Sequence, residues 1–298
     1  MGVAIIFIMA SHTLGGYAAY GIIGVEWFLI LSGIGQYYSL NNNGSGISGF
    51  YRRKLTRILP AYLIVAIPYF CIQTPSSIGT FLIRLSGMNL FLLGEKTFWF
   101  VTLIFICYLI APLYFKIVNT WKYSLVLPFL LIGVTFFLSF HLPKSEILVT
   151  RIPSFLLGMN LAKYVFDGAV IPDGRMTILC YFASALAVFA LLTIYLDSIG
   201  IETVRLIYFF CGVPTLFFVL YVARHLSFLC GILSFLGSLS YELYLVHQNI
   251  ALAICERLPV SRAGVVLSSY GLAILLAFAL HFIIKGARSA CSSAFSNR

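Results

Sequence analysis

Charge is what this sequence has least of. Of 298 residues only nine are acidic and 19 basic, 9% in all, against about a quarter in a soluble domain. With 61% hydrophobic residues and a mean hydropathy of +1.02, the chain cannot cover its apolar surface in water, which excludes a soluble globular fold. Cysteine patterning is missing as well: the seven cysteines are an odd number, lack CxxC spacing and have no paired histidines beside them. They read as small packing residues, which leaves no expected metal site and no disulfide framework. No basic stretch precedes the first apolar run, because Met1-Gly2-Val3-Ala4-Ile5-Ile6 is apolar at once. That is not a signal peptide, so either the first helix starts abruptly or the sequence begins inside it. An internal repeat is also absent. The formal charge of +10 sits at the edges of apolar segments, so it reports membrane orientation and not a nucleic-acid surface.

What is there is a succession of apolar runs. At about 20 residues per span, the length holds about ten helices and little else. The runs fall at about 1–14, 21–40, 57–73, 98–117, 123–140, 151–166, 176–196, 205–223, 233–254 and 265–285. The expected fold is therefore all-α, a polytopic transmembrane helical bundle of about ten spans. It forms a single membrane-embedded domain over 1–298, with no appended soluble domain. The stretch 79–93 is apolar but broken by Arg84 and Gly87, and reads as interfacial or re-entrant, with an eleventh span as the alternative. With ten spans and a cytoplasmic N-terminus, twelve Lys and Arg residues fall in inside loops and six in outside loops. The positive-inside rule then puts both termini in the cytoplasm. Asn41-Asn42-Asn43-Gly44-Ser45-Gly46 is the one linker-like turn.

Ionisable groups inside a bilayer are costly, and each is a candidate for function. His12 ends the first apolar run, and its near-neutral intrinsic pKa suits proton transfer, although a lone membrane histidine is more often a packed, hydrogen-bonded residue. Glu26 opens the second run on the same side, so the spacing predicts a His12–Glu26 pair in which the carboxylate orients the imidazole, or else an interfacial glutamate. Four cations, Arg52, Arg53, Lys54 and Arg57, precede the third run. They form a topogenic signal, and Arg53, Lys54 and Arg57 can share a helical face and bind phosphates. Arg151, ahead of Pro153 at a helix start, either meets the lipid interface or lines a polar cavity.

Several further motifs stand in a fixed order. Gly24-Val25-Glu26-Trp27-Phe28 runs on to Ser32-Gly33, and a basic segment ends in Arg57-Ile58-Leu59-Pro60. Phe98-Trp99-Phe100 is followed by Tyr108 and Pro112, then Arg151-Ile152-Pro153-Ser154-Phe155, then Ser240-Tyr241-Glu242-Leu243-Tyr244-Leu245-Val246-His247. With His12 in the first helix, this order resembles the acyltransferase 3 family of bacterial integral membrane O-acyltransferases over nearly the whole chain. Two positions depart from the family pattern. The basic residue expected eleven places before His12 is replaced by Met1, and the family's Arg-x-x-Arg pair becomes Lys54 with Arg57.

The resemblance implies an acyl-CoA-dependent membrane O-acyltransferase, acetyl-CoA being the first candidate donor, with no permanently bound cofactor. The acceptor would be a hydroxyl of a cell-surface saccharide or its lipid-linked precursor. The setting would be the bacterial cytoplasmic (inner) membrane, beside polysaccharide-biosynthesis partners and without nucleic acid. His12 and Glu26 would be catalytic, while Arg53, Lys54, Arg57 and Arg151 would bind the donor or line its path. The competing class is a transporter or flippase, in which the same polar residues form a relay or substrate path; the missing repeat argues against it. His247 reads as structural.

Overall fold

The computed structural model describes residues 1–13, 21–42, 44, 46–141, 146–166, 178–179, 181–183, 186, 201–225 and 227–296. Among them the regular structure is helical throughout: α1 (Gly2–Thr13), α2 (Ile23–Asn41), α3 (Gly46–Ile72), α4 (Ile78–Leu85), α5 (Asn89–Leu92), α6 (Trp99–Thr120), α7 (Val126–His141), α8 (Glu146–Val149) and α9 (Ile152–Phe166). The chain then forms α10 (Ile201–His225), α11 (Ser227–Ser238) and α12 (Ser240–Val246). A π-helical turn (His247–Leu252), α13 (Ala253–Cys255) and α14 (Arg262–Ser296) complete it. No strand occurs among the described residues, as expected where backbone groups must be satisfied within each segment.

Large apolar side chains that protein does not cover line these helices, including Ile64 and Ile67 on α3, Leu109 and Leu113 on α6, and Leu275 and Phe282 on α14. Such a surface is stable only against hydrocarbon. By length and composition, four helical stretches among the described residues can cross a membrane: Gly46–Ile72, Trp99–Thr120, Thr203–Ala223 and Arg262–Gly286. The expected count of about ten is thus not confirmed among the described residues, and the reasons are local. The first run forms a helix of 12 residues, and those at 123–140 and 151–166 form helices of 16 and 15, all short of a full span. The run at 233–254 breaks into α11, α12 and the π turn. The run at 176–196 lies mostly outside the described residues, as do parts of the Asn41–Gly46 turn. The stretch 79–93 is split into α4 and α5 around Gly87 at φ 78°, pieces too short to span.

One hydrophobic core runs from Ala4 on α1 to Ile284 on α14. Its centre is the α2–α9 contact, where backbones meet. A Cβ on Gly33 would lie 2.1 Å from the Phe155 carbonyl oxygen, and one on Gly158 would lie 2.1 Å from that of Ile30. Small residues at membrane helix interfaces allow this approach. On the other side of α2, a Cβ on Gly24 would come within 2.5 Å of the Ala4 carbonyl oxygen, so α1 is drawn in as closely. These three helices set Glu26 on α2 beside the start of α9. They also fix the end of α1, where Thr13 shares a 3.0 Å hydroxyl contact with Tyr270 and its carbonyl accepts from Arg262 at 3.1 Å.

Candidate active site

Two cavities lie along α3, the smaller beside Lys54 to Ile58 and the larger from Ile64 to the C-terminal end of the helix. The larger, about 840 Å³, is a cleft between α3 and α14, closed on a third side by the π turn and α13, with His12 in its wall. Its lining is largely aliphatic, from Ile64, Val65, Leu276, Leu280 and Ile283, with Gln73, Gln248, Asn249, Glu256 and Arg257 also on the wall. The smaller, about 190 Å³, is a basic pocket that includes Lys54, Arg57, Ser32, Gln36, Tyr108 and Tyr241. From Arg57 to Pro68 on the cleft wall is eleven residues, or roughly 16 Å of helix.

Lys54 reaches its pocket with the ammonium 5.3 Å from the Phe50 ring centre and 5.7 Å from that of Tyr108. Aromatic faces stabilise a cation there without neutralising it. Arg57, three residues on, projects to the same pocket, whereas Arg53 is exposed and does not line it. One residue of offset is about 100° around a helix, enough to turn a side chain off a shared face. The Gln36 Oε1 beside the pocket is buried without a partner among the described residues.

Glu26 is not where the spacing put it in relation to His12. Its carboxylate is buried, accepts from Arg151 Nη1 at 2.8 Å, and accepts from the Ser154 hydroxyl with its other oxygen. Arg151 in turn lies 5.4 Å from the Trp99 ring centre, and a second buried pair, Arg205 with Glu146 at 3.0 Å, adds charge nearby. Arg151 and Ser154 hold one acceptor site on each carboxylate oxygen, and no hydrogen bond joins Glu26 to His12 among the described residues. The expected His12–Glu26 pair is therefore replaced by a Glu26–Arg151 pair. Arg151 is correspondingly committed to α2 and lines neither cavity.

The ring beside His12 belongs to His247, 5.3 Å away between centres. From His247 an aromatic layer leads toward the basic pocket. Tyr244 is next at 5.9 Å, then Phe100 at 5.0 Å, then Phe28 at 5.3 Å, the last two lining that pocket. The Tyr244 hydroxyl accepts the Phe100 backbone N–H at 3.1 Å and so satisfies one of the free donors at the start of α6. The sequence signal that could have found His247 was its place in the Ser-Tyr-x-x-Tyr-Leu-x-His run.

The arrangement offers a base on the wall of a large amphipathic cleft, an aromatic partition, and a cationic pocket beyond it. No curated protein and no solved structure matches the chain. The family model described as an acyltransferase domain matches residues 2–283, nearly the whole length, and on that match the chain belongs to the acyltransferase 3 family, which makes it a membrane acyltransferase.

Proposed function

We propose that the protein transfers an acyl group, acetyl in the simplest case, from acyl-CoA to a hydroxyl of a saccharide carried on a membrane lipid. The placement of His12 in the wall of the 840 Å³ cleft, farther along α3 from Lys54 and Arg57, carries this reading. Lys54 and Arg57 hold the donor's phosphates by charge-assisted hydrogen bonds, with Arg53 assisting from outside the pocket. The cluster of four cations at Arg52–Arg57 supports a cytoplasmic position for this face in a bacterial inner membrane, with both termini on the same side. The acyl thioester passes the aromatic partition to meet the acceptor near His12.

An unassisted sugar hydroxyl is a poor nucleophile near neutral pH. His12 takes the hydroxyl proton as the oxygen attacks the thioester carbonyl carbon. The C–S bond then breaks, and the coenzyme A thiolate leaves with the proton that His12 had taken. Glu26 and Arg151 contribute by holding α2 against α9, which keeps the wall of the site in place. The walls of the cleft favour the lipid-linked acceptor over a free saccharide. Two membrane-crossing helices supply an aliphatic flank for a lipid chain, and Arg257 on the same wall suits the phosphate joining that chain to its sugar.

The test is purified protein in nanodiscs given labelled acetyl-CoA and a membrane lipid extract. Label is expected in lipid-extractable saccharide. Label confined to water-soluble glycan would refute the lipid-linked acceptor, and an unlabelled product pool would refute acyl transfer from acetyl-CoA.

A further inference from the structure

His247 stands where α12 gives way to the π turn, a kind of helix distortion frequent at functional sites. Its Nδ1 lies 3.0 Å from the Leu243 carbonyl oxygen and 2.9 Å from that of Tyr244. A carbonyl can only accept, so Nδ1 carries the proton, and in the neutral ring Nε2 is left bare, able to accept and unable to donate. That Nε2 is buried and has no partner among the described residues. A buried acceptor without a partner is costly and calls for an explanation.

The neighbours narrow the choice. The nearest other ring on its own element, Tyr244, has its hydroxyl directed to the Phe100 N–H. Glu26 is engaged with Arg151 and Ser154. His12 is 5.3 Å away between ring centres, a separation at which ring edges come within hydrogen-bond reach. Its other side is open to the cleft, which leaves the ring room to turn, and neither of its nitrogens has a hydrogen-bond partner among the described residues. Hydrogen bonds of this kind are often unformed without substrate and tighten in the complex.

We propose that His247 is the positioning residue for His12: its Nε2 accepts an N–H from His12, which leaves the other His12 nitrogen bare and facing the cleft. This rests on the acyl-transfer reading above and gives His12 the orienting partner that Glu26 does not supply. The fixed Nδ1–H of His247 dictates the direction of the bond, and the bond selects the His12 tautomer that can act as a base. When His12 takes the proton of the acceptor hydroxyl, its N–H to His247 remains and steadies the imidazolium. The proton then leaves with the coenzyme A thiolate, and His247 neither gains nor loses one.

Two conservative variants separate this role from a packing role. His247→Gln places an amide oxygen near the position of Nε2, while His247→Asn keeps a donor near the position of Nδ1 for the Leu243 and Tyr244 carbonyls. Positioning predicts that Gln stays within about tenfold of the normal kcat while Asn loses about 10²-fold or more, with KM for acyl-CoA unchanged in both. Asn equal to or better than Gln would overturn it. A measurement on the unsubstituted protein is independent of turnover and of variant folding. With ¹⁵N-labelled histidine in nanodiscs, His247 should show a protonated Nδ1 and a coupling from Nε2 across an N–H···N bond, lost in His12→Ala. An Nε2 that carries its own proton, or is blind to His12, would overturn the proposal. The coupling in a protein that transfers no acyl group would uphold the pairing and overturn the acyl-transfer reading.

Discussion

Two polar clusters are set into this apolar protein, and they are built in opposite ways. At the α2–α9 contact, Glu26 and Arg151 neutralise each other, Ser154 donates to the second carboxylate oxygen, and neither of the two cavities at α3 reaches them. At the end of α1, His12 and His247 carry no fixed charge, the buried His247 Nε2 has no partner among the described residues, and His12 borders the larger of the two cavities. A buried charge is thus a poor guide to chemistry in a membrane, because it survives only when it has been quenched. An unfilled lone pair at a cavity wall is the better guide.

The comparison can be broken most sharply at His12. His12→Ala should lower kcat for acyl transfer by about 10² to 10⁴ while the thermal midpoint in nanodiscs barely moves, since an exposed imidazole is lost. Near-normal turnover would end its assignment as the base. The other cluster should respond in stability instead. Arg151→Ala leaves Glu26 uncompensated, and removing one partner of a buried pair costs about 3–5 kcal/mol. The expected result is a fall in folded protein, largely recovered in the double variant Glu26→Leu, Arg151→Met. A well-folded, inactive Arg151→Ala would move this pair into the chemistry.

Smaller effects belong to the basic pocket. Lys54→Ala and Arg57→Ala should each raise KM for acyl-CoA about tenfold or more with kcat little changed, as for groups that bind phosphate equally in ground and transition states. Arg53→Ala should do less, because it lies off the pocket; equal effects from all three would mean that the phosphates sit outside it. Smallest of all should be replacement of the seven cysteines by alanine. Acyl transfer per folded molecule is expected to persist, and loss of turnover traced to any single cysteine would identify a thiol nucleophile.

The helical class, the lipid-facing runs and the family were legible from composition and from motif order. The pairing of Lys54 with Arg57 was legible too, since three residues return a helix to nearly the same face. Side-chain partners were not. Glu26 is 125 residues from the arginine that engages it, and the packing of α2 on α9, closest at Gly33 and Gly158, brings the two together. Chain proximity to His12 was the only cue available from sequence, and it pointed to the wrong neighbour. The span count is left unconfirmed for a related reason. An apolar run reports that a segment is covered by something apolar, whether lipid or other helices, and α9, buried along much of its length, is the case in point.

The glycine contact between α2 and α9 has a mechanical side. Where two helices meet through side chains, rotamer changes let one slide over the other. Where carbonyl oxygens press against bare α-carbons, as at Gly33 and Gly158, sliding by even one residue would drive side chains into backbone. The pair behaves as a keel. Whatever rocking a catalytic cycle requires must be taken up by α3 and α14, whose facing surfaces meet through flexible aliphatic side chains along the cleft.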